Sequence, residues 1–157
     1  MPLRLSNIRE EIKDNSFRVI YDAENKQNEI DFFWQGTIIG EANGTITFTM
    51  KGEARSTFLR NRLGFCILHP IQECTGQECI IENVNGAVIR AIFPRYISPH
   101  PPFTDMRSIA HEVEPGVWAQ VRFEGDIFET EDQRNWTEAS LSGSGQGRNE
   151  DHAVCHV

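Results

Sequence analysis

No run of about 18 apolar residues occurs in the chain, so a membrane-spanning helix is not expected. The first residues carry Arg4, Arg9, Glu10 and Glu11 where a secretory leader would place an apolar stretch, and a cytoplasmic location follows. Basic residues are scarce as well: 15 Lys and Arg stand against 23 Asp and Glu, a net charge of -8, and they form no stripe. Such a surface repels a phosphate backbone, so nucleic acid is not an expected partner. The 4 cysteines are too few to hold 157 residues together by disulfides. Gly-x-Gly-x-x-Gly, the phosphate loop and the Gly-x-Ser-x-Gly elbow are all missing. Neither a cofactor nor a Ser-His-Asp mechanism is therefore expected.

What is present is 39% hydrophobic and 24% charged residues, the composition of one globular domain with a modest core. Ile46, Phe48 and Met50 alternate with Thr45, Thr47 and Thr49, which predicts a half-buried strand with the apolar three inward. Asn43-Gly44 and Asn85-Gly86 tolerate the positive φ angles of a type I′ turn. Each should close a hairpin, joining residues 37–41 to 45–50 and 79–84 to 87–93. Val117, Ala119, Val121 and Phe123 share one face of a further strand, and residues 17–22, 29–35 and 63–69 add others. Only residues 7–14 look helical, with Asn7 as N-cap and Glu10 reaching back to it. Many short strands between close turns predict an all-β, antiparallel β-sandwich over residues 1–140. The four prolines of residues 94–102 should force an extended connection outside the ladder. The Ser/Gly-rich tail, 141–157, is expected to be disordered.

Residues 124–138 hold six acids against one arginine. Carboxylates beside guanidinium and amide donors suit a sugar or sugar acid, and an aromatic ring covers its C–H face. Glu131 and Asp132 are candidates to orient water, Arg134 to bind an oxyanion, and Trp136 to act as the platform. Arg60 and Arg62, at alternate positions of an extended segment, could bind a carboxylate together, and His111 beside Glu112 could be an oriented imidazole. The plainer reading is a solvated strand edge, with Arg134 satisfying neighbouring acids and Trp136 packed in the core. Cys66, among Phe65, Ile67 and Leu68, reads as core. Cys74 and Cys79 with His69 have the donor types zinc prefers, but no second ligand pair stands at compatible spacing. An ordinary loop and no metal are expected there.

The stretch Gly52-Glu53-Ala54-Arg55, continuing through Phe58-Leu59-Arg60-Asn61-Arg62-Leu63-Gly64-Phe65 to His69-Pro70, is the longest part of a wider resemblance. With Ile30-Asp31-Phe32, Gly36-Thr37-Ile38, residues 108–113, and Phe123-Glu124-Gly125-Asp126 continuing to Asn135-Trp136-Thr137, it resembles the N-terminal domain of bacterial D-apionate lactonases. The resemblance covers residues 3–140. It implies a hydrolase of branched-sugar catabolism that converts D-apionolactone to D-apionate, with a small sugar lactone or sugar acid as ligand. It also implies a longer protein in which this β domain precedes a TIM barrel and a C-terminal β domain. On that reading the chain is a fragment with a frameshifted or truncated tail, inactive alone, and its missing barrel is the better home for catalysis. No catalytic role carries over to particular residues, so the candidates above rest on side-chain chemistry. The rival reading is a non-catalytic carbohydrate-binding or structural β-sandwich module.

Overall fold

The computed structural model describes residues 2–60, 63–136, 140–145 and 152–156, the side chains of 136, 140–145 and 152–156 excepted. In chain order the strands are β1 (Leu3–Lys13), β2 (Ser16–Gln27), β3 (Ile30–Gly40), β4 (Ile46–Ala54) and β5 (Cys66–Pro70). A helical turn, α1 (Ile71–Cys74), precedes β6 (Glu78–Asn83), β7 (Val88–Ile92), β8 (Met106–Glu114), β9 (Val117–Glu124) and β10 (Phe128–Asp132). A 3₁₀ turn (Gln133–Trp136), β11 (Ser140–Gly145) and β12 (His152–His156) follow. The architecture is all-β and antiparallel, as a sandwich requires. Among the described residues no helix is long and apolar enough to cross a membrane.

Two units form. The first, Met1–Asn61 with Asn149–Val157, orders its strands β1-β2-β3-β4-β12, every pair antiparallel. Strands 2 and 3 carry glycines opposite aromatics: Tyr21 faces Gly36 and Phe17 faces Gly40. Each ring lies over its glycine so closely that an added Cβ would run into it. The aromatic thus fills the space the missing side chain leaves, restoring packing to a position where glycine alone weakens a strand.

Residues 7–14 are not a helix: 7–13 belong to β1 and Asp14 begins the turn into β2. Asn7 has φ 52°, and the register with β2 slips between Ser6 and Arg9, so Asn7 sits at a bulge. Its amide donates to Asp22 at 2.8 Å. The short polar side chain that marks a helix cap tolerates a left-handed bulge equally well, and pairing with the long β2 edge overrides local propensity.

Both Asn-Gly hairpins form, with a different turn from the one expected. Glu41 N–H bonds Thr45 O at 2.9 Å and Asn83 N–H bonds Ala87 O at 2.8 Å, which closes loops of three residues rather than two. Only the glycines are left-handed, Gly44 at 89° and Gly86 at 84°. The asparagines act through their side chains, accepting from Thr45 N–H and Ala87 N–H at 2.9 Å each. Beyond the first turn Met50 is buried and Phe48 half-buried, but Ile46, at the strand's start, is 41% exposed.

The second unit, Arg62–Arg148, has β8 at its centre, paired with β9 and β6 and, at Met106–Phe128, with β10. β7 extends β6, and β11 joins β10 to β5. Register puts Cys79 opposite His111 and Ile81 opposite Ile109, with Val121 across from Ile109. Since cross-strand partners share a face, these residues make one apolar surface, and all are buried. Phe93 is fully buried against Phe103, their ring centroids 5.8 Å apart, and Phe123 stacks on Phe128 at 4.3 Å. Truncating a ring such as Phe93 costs roughly 3–5 kcal/mol. The alternate face carries Glu82, Ser108 and Arg122, with Arg122 paired to Glu82 at 2.9 Å.

Residues 94–102 leave the ladder, as their prolines demand. Cys66, by contrast, is exposed at the start of β5 instead of buried. Over 141–157, where disorder is expected, the structure describes β11 and β12; residues 146–151 and 157 lie outside the described set. β10 and β5 each present a ladder edge to β11, and main-chain hydrogen bonding there is indifferent to the Ser/Gly side chains.

Candidate functional site

Strand β10 and the 3₁₀ turn after it build the first polar cluster. Asp132 closes β10 with a fully buried side chain, and Arg134 comes back over it from the turn. Arg134 Nε donates to Asp132 Oδ1 at 2.8 Å and Nη2 to Oδ2 at 2.7 Å, a two-pronged pair. The same guanidinium donates to the carbonyls of Arg95, Pro94 and Tyr96 at 3.0, 3.1 and 3.0 Å. Ser98 N–H donates to Asp132 Oδ2 at 2.9 Å and the Asn135 amide to Ser98 O at 2.6 Å. At the connection's far end Thr130 N–H bonds Phe103 O at 2.8 Å, and Phe103 N–H returns to Thr130 Oγ1 at 2.9 Å. Burial alone would raise the Asp132 carboxyl. The Arg134 side chain, with the Ser98 and Arg134 N–H groups, outweighs burial and holds the carboxyl below the ordinary carboxylate range. The cluster is a clamp on the proline-rich connection.

That geometry places the sequence candidates unevenly. Asp132 and Arg134 meet as expected, yet toward each other and the backbone; Glu131, half-buried, accepts from the Gln133 amide at 3.1 Å. Trp136 lies in the 3₁₀ turn, its side chain outside the described set. Arg60 is exposed in the loop after β4 of the first unit, and Arg62 lies outside the described residues. His111 is buried and is not oriented by Glu112, whose carboxylate accepts the Gly116 N–H at 2.6 Å. Consecutive strand residues point to opposite faces, so neighbours in sequence are separated in space.

Of the donors weighed in the sequence, His69 and Cys74 do meet in a second cluster, but their third partner is His111 and not Cys79. His69 (β5), Cys74 (α1) and His111 (β8) converge in the interior of the second unit, their donor atoms all within 4.8 Å of one another. Burial, with His111 nearby, pushes His69 down to about 4. Burial also raises the Cys74 thiol, helped by Glu73, and pushes Cys79 up to about 12, helped by Cys74 and Glu78. With no metal bound, both therefore stand as protonated thiols at neutral pH. In the sequence His111 alternates with Ile109 and Val113, and a histidine in an apolar row is the signal that could have found it, although Val113 itself falls at a bulge and is exposed.

Third, an open cleft of about 260 Å³ lies where β8 and β9 meet the turn into β10, with Arg107, Arg122, Glu124 and Asp126 on its walls.

A model of the family described as D-apionate lactonase, N-terminal domain, matches residues 1–142. The chain belongs to that family. A D-apionate lactonase of Brucella anthropi is 41% identical over 138 residues, which is 87% of this chain and 23% of that protein. The chain thus spans about a quarter of the length of the curated relative it matches. No solved structure matches it. Asp132, Arg134 and the His69, Cys74 and His111 cluster all fall inside the stretch matched by the D-apionate lactonase N-terminal domain.

Proposed function

We propose that this domain serves a lactone hydrolase that opens D-apionolactone to D-apionate in the cytoplasmic catabolism of a branched sugar. The observation that carries the proposal is the 41% identity with a D-apionate lactonase across 87% of the chain. Opening a lactone requires an activated water, stabilisation of the tetrahedral oxyanion and a proton for the departing ring oxygen. Asp132 and Arg134 are engaged with each other and with the connection, so they support a site by positioning rather than by touching substrate. The bond-breaking groups then belong to a further domain, a barrel whose strand ends face the substrate. Of the substrate-contact candidates, exposed Arg60, with Arg62 and Trp136, keeps that role, because a guanidinium fork matches a sugar-acid carboxylate. Buried His111 does not.

The test compares the 157-residue chain with a longer lactonase of the family, assaying D-apionolactone hydrolysis by both. The chain alone should not accelerate the reaction and the longer protein should. In the longer protein, replacing the residue that matches Arg134 with alanine should lower the melting temperature and leave turnover per folded molecule intact. Turnover by the short chain alone would place catalysis inside this domain. Lost turnover with unchanged stability would make Arg134 a catalytic residue.

A further inference from the structure

His69, Cys74 and His111 come from three different elements and converge on one point: the end of β5, the end of α1 and the middle of β8. All three are buried, at 3%, 0% and 9% exposure. Buried polar atoms are almost always hydrogen-bonded, and one that is not calls for a specific reason, an ion among them. His69 Nε2 is such an atom, with no hydrogen-bond partner. The two imidazole rings stand 5.6 Å apart, and the Phe93 ring lies against both, at 5.9 and 5.7 Å. An apolar wall beside nitrogen and sulfur donors lowers the local dielectric and strengthens their hold on a cation.

We propose that His69, Cys74 and His111 bind a Zn²⁺ ion. Imidazole nitrogen and thiolate sulfur suit zinc, whereas magnesium and calcium demand oxygen ligands, which this cluster lacks. Zinc bonds of about 2.0–2.3 Å in tetrahedral array hold donors roughly 3.3–3.6 Å apart. The donors lie within 4.8 Å of one another, so binding draws them together by roughly 1 Å. On binding, the Cys74 S–H bond breaks, its proton goes to solvent and the sulfur lone pair bonds the ion, with no change of oxidation state. Three protein ligands leave one tetrahedral position, which a water fills. The ion fastens α1, and with it the link from β5 to β6, onto the central strand β8.

The experiment uses the full 157-residue chain stripped with chelator, titrated with Zn²⁺ alone by calorimetry and with Co²⁺ as a spectroscopic probe. Expected are one ion per chain, a higher melting temperature with zinc, and a cobalt spectrum with both tetrahedral d–d bands and a thiolate-to-cobalt charge-transfer band. Cys74→Ser should remove that band. Cys74→Ser and His111→Gln should each weaken zinc binding by more than the roughly 10–100-fold that loss of an outer partner costs. Replacing exposed Cys66 by serine, or His152, Cys155 and His156 of the tail together, should leave binding unchanged. No zinc uptake, a cobalt spectrum without sulfur character, or binding that vanishes only in the tail variant would each overturn the proposal. The wild-type cobalt spectrum needs no variant to fold, so it decides the matter even where a substituted chain does not.

Discussion

Asp132 grips Arg134 with both carboxylate oxygens, and the gripped guanidinium reaches across to the carbonyls of Pro94, Arg95 and Tyr96. A segment rich in proline has few N–H groups of its own and cannot enter a ladder, so its carbonyls need donors from elsewhere. One arginine, oriented by one buried aspartate, supplies them.

Removing Arg134 should therefore cost more than an ordinary surface ion pair. Arg134→Ala leaves the Asp132 carboxylate buried without its cation, and about 3–5 kcal/mol of stability should go, read from urea unfolding. Arg134→Lys should recover only a minor part, because one ammonium cannot reproduce the fork. A loss below about 1 kcal/mol would place the pair among solvent-screened ones.

Acid should release the same clamp. Asp132 is held below its unfolded carboxylate value, so in that range the unfolded chain binds more protons than the folded one. Its contribution is fully present above the unfolded value, near 4, and is lost as pH falls through the depressed folded value. Melting temperatures followed from neutral pH to about pH 2 should fall more steeply for wild type than for Asp132→Asn, which starts lower. Parallel curves would count against the clamp.

In the first unit, Gly36→Ala should destabilise by roughly 1–3 kcal/mol, since its new methyl meets the Tyr21 ring. The same change made together with Tyr21→Ala should cost clearly less than the two single costs added. Strict additivity in a double-mutant cycle would show that ring and glycine are not in contact.

Strands announced by alternation, such as β4 and β9, and both Asn-Gly hairpins were legible in the residues because period and turn chemistry are local. Residues 7–14 misled because Asn7 serves a bulge through the same short side chain that would cap a helix. The clamp residues were legible as a dense motif, but their direction was not: Arg134 acts on a segment 38 to 40 residues earlier. The His69, Cys74 and His111 convergence is set by strand order, and spacing along the chain carries no trace of strand order.

Deleting residues 141–157 should lower the melting temperature by on the order of 10 °C, because β11 then no longer joins β10 to β5 and β12 no longer covers the edge of β4. An unchanged melting curve would favour the reading of that tail as disordered.

During synthesis the clamp imposes a delay. The carbonyls of residues 94–96 leave the ribosome 38 to 40 residues ahead of the arginine that caps them. At about 5–20 residues per second that interval is roughly 2–8 s. The β6-β7 and β8-β9 pairs, each made of neighbours in sequence, can form within it. The connection between them has no side-chain donor for those carbonyls until Arg134 arrives, and over that interval it should be an open, protease-accessible loop.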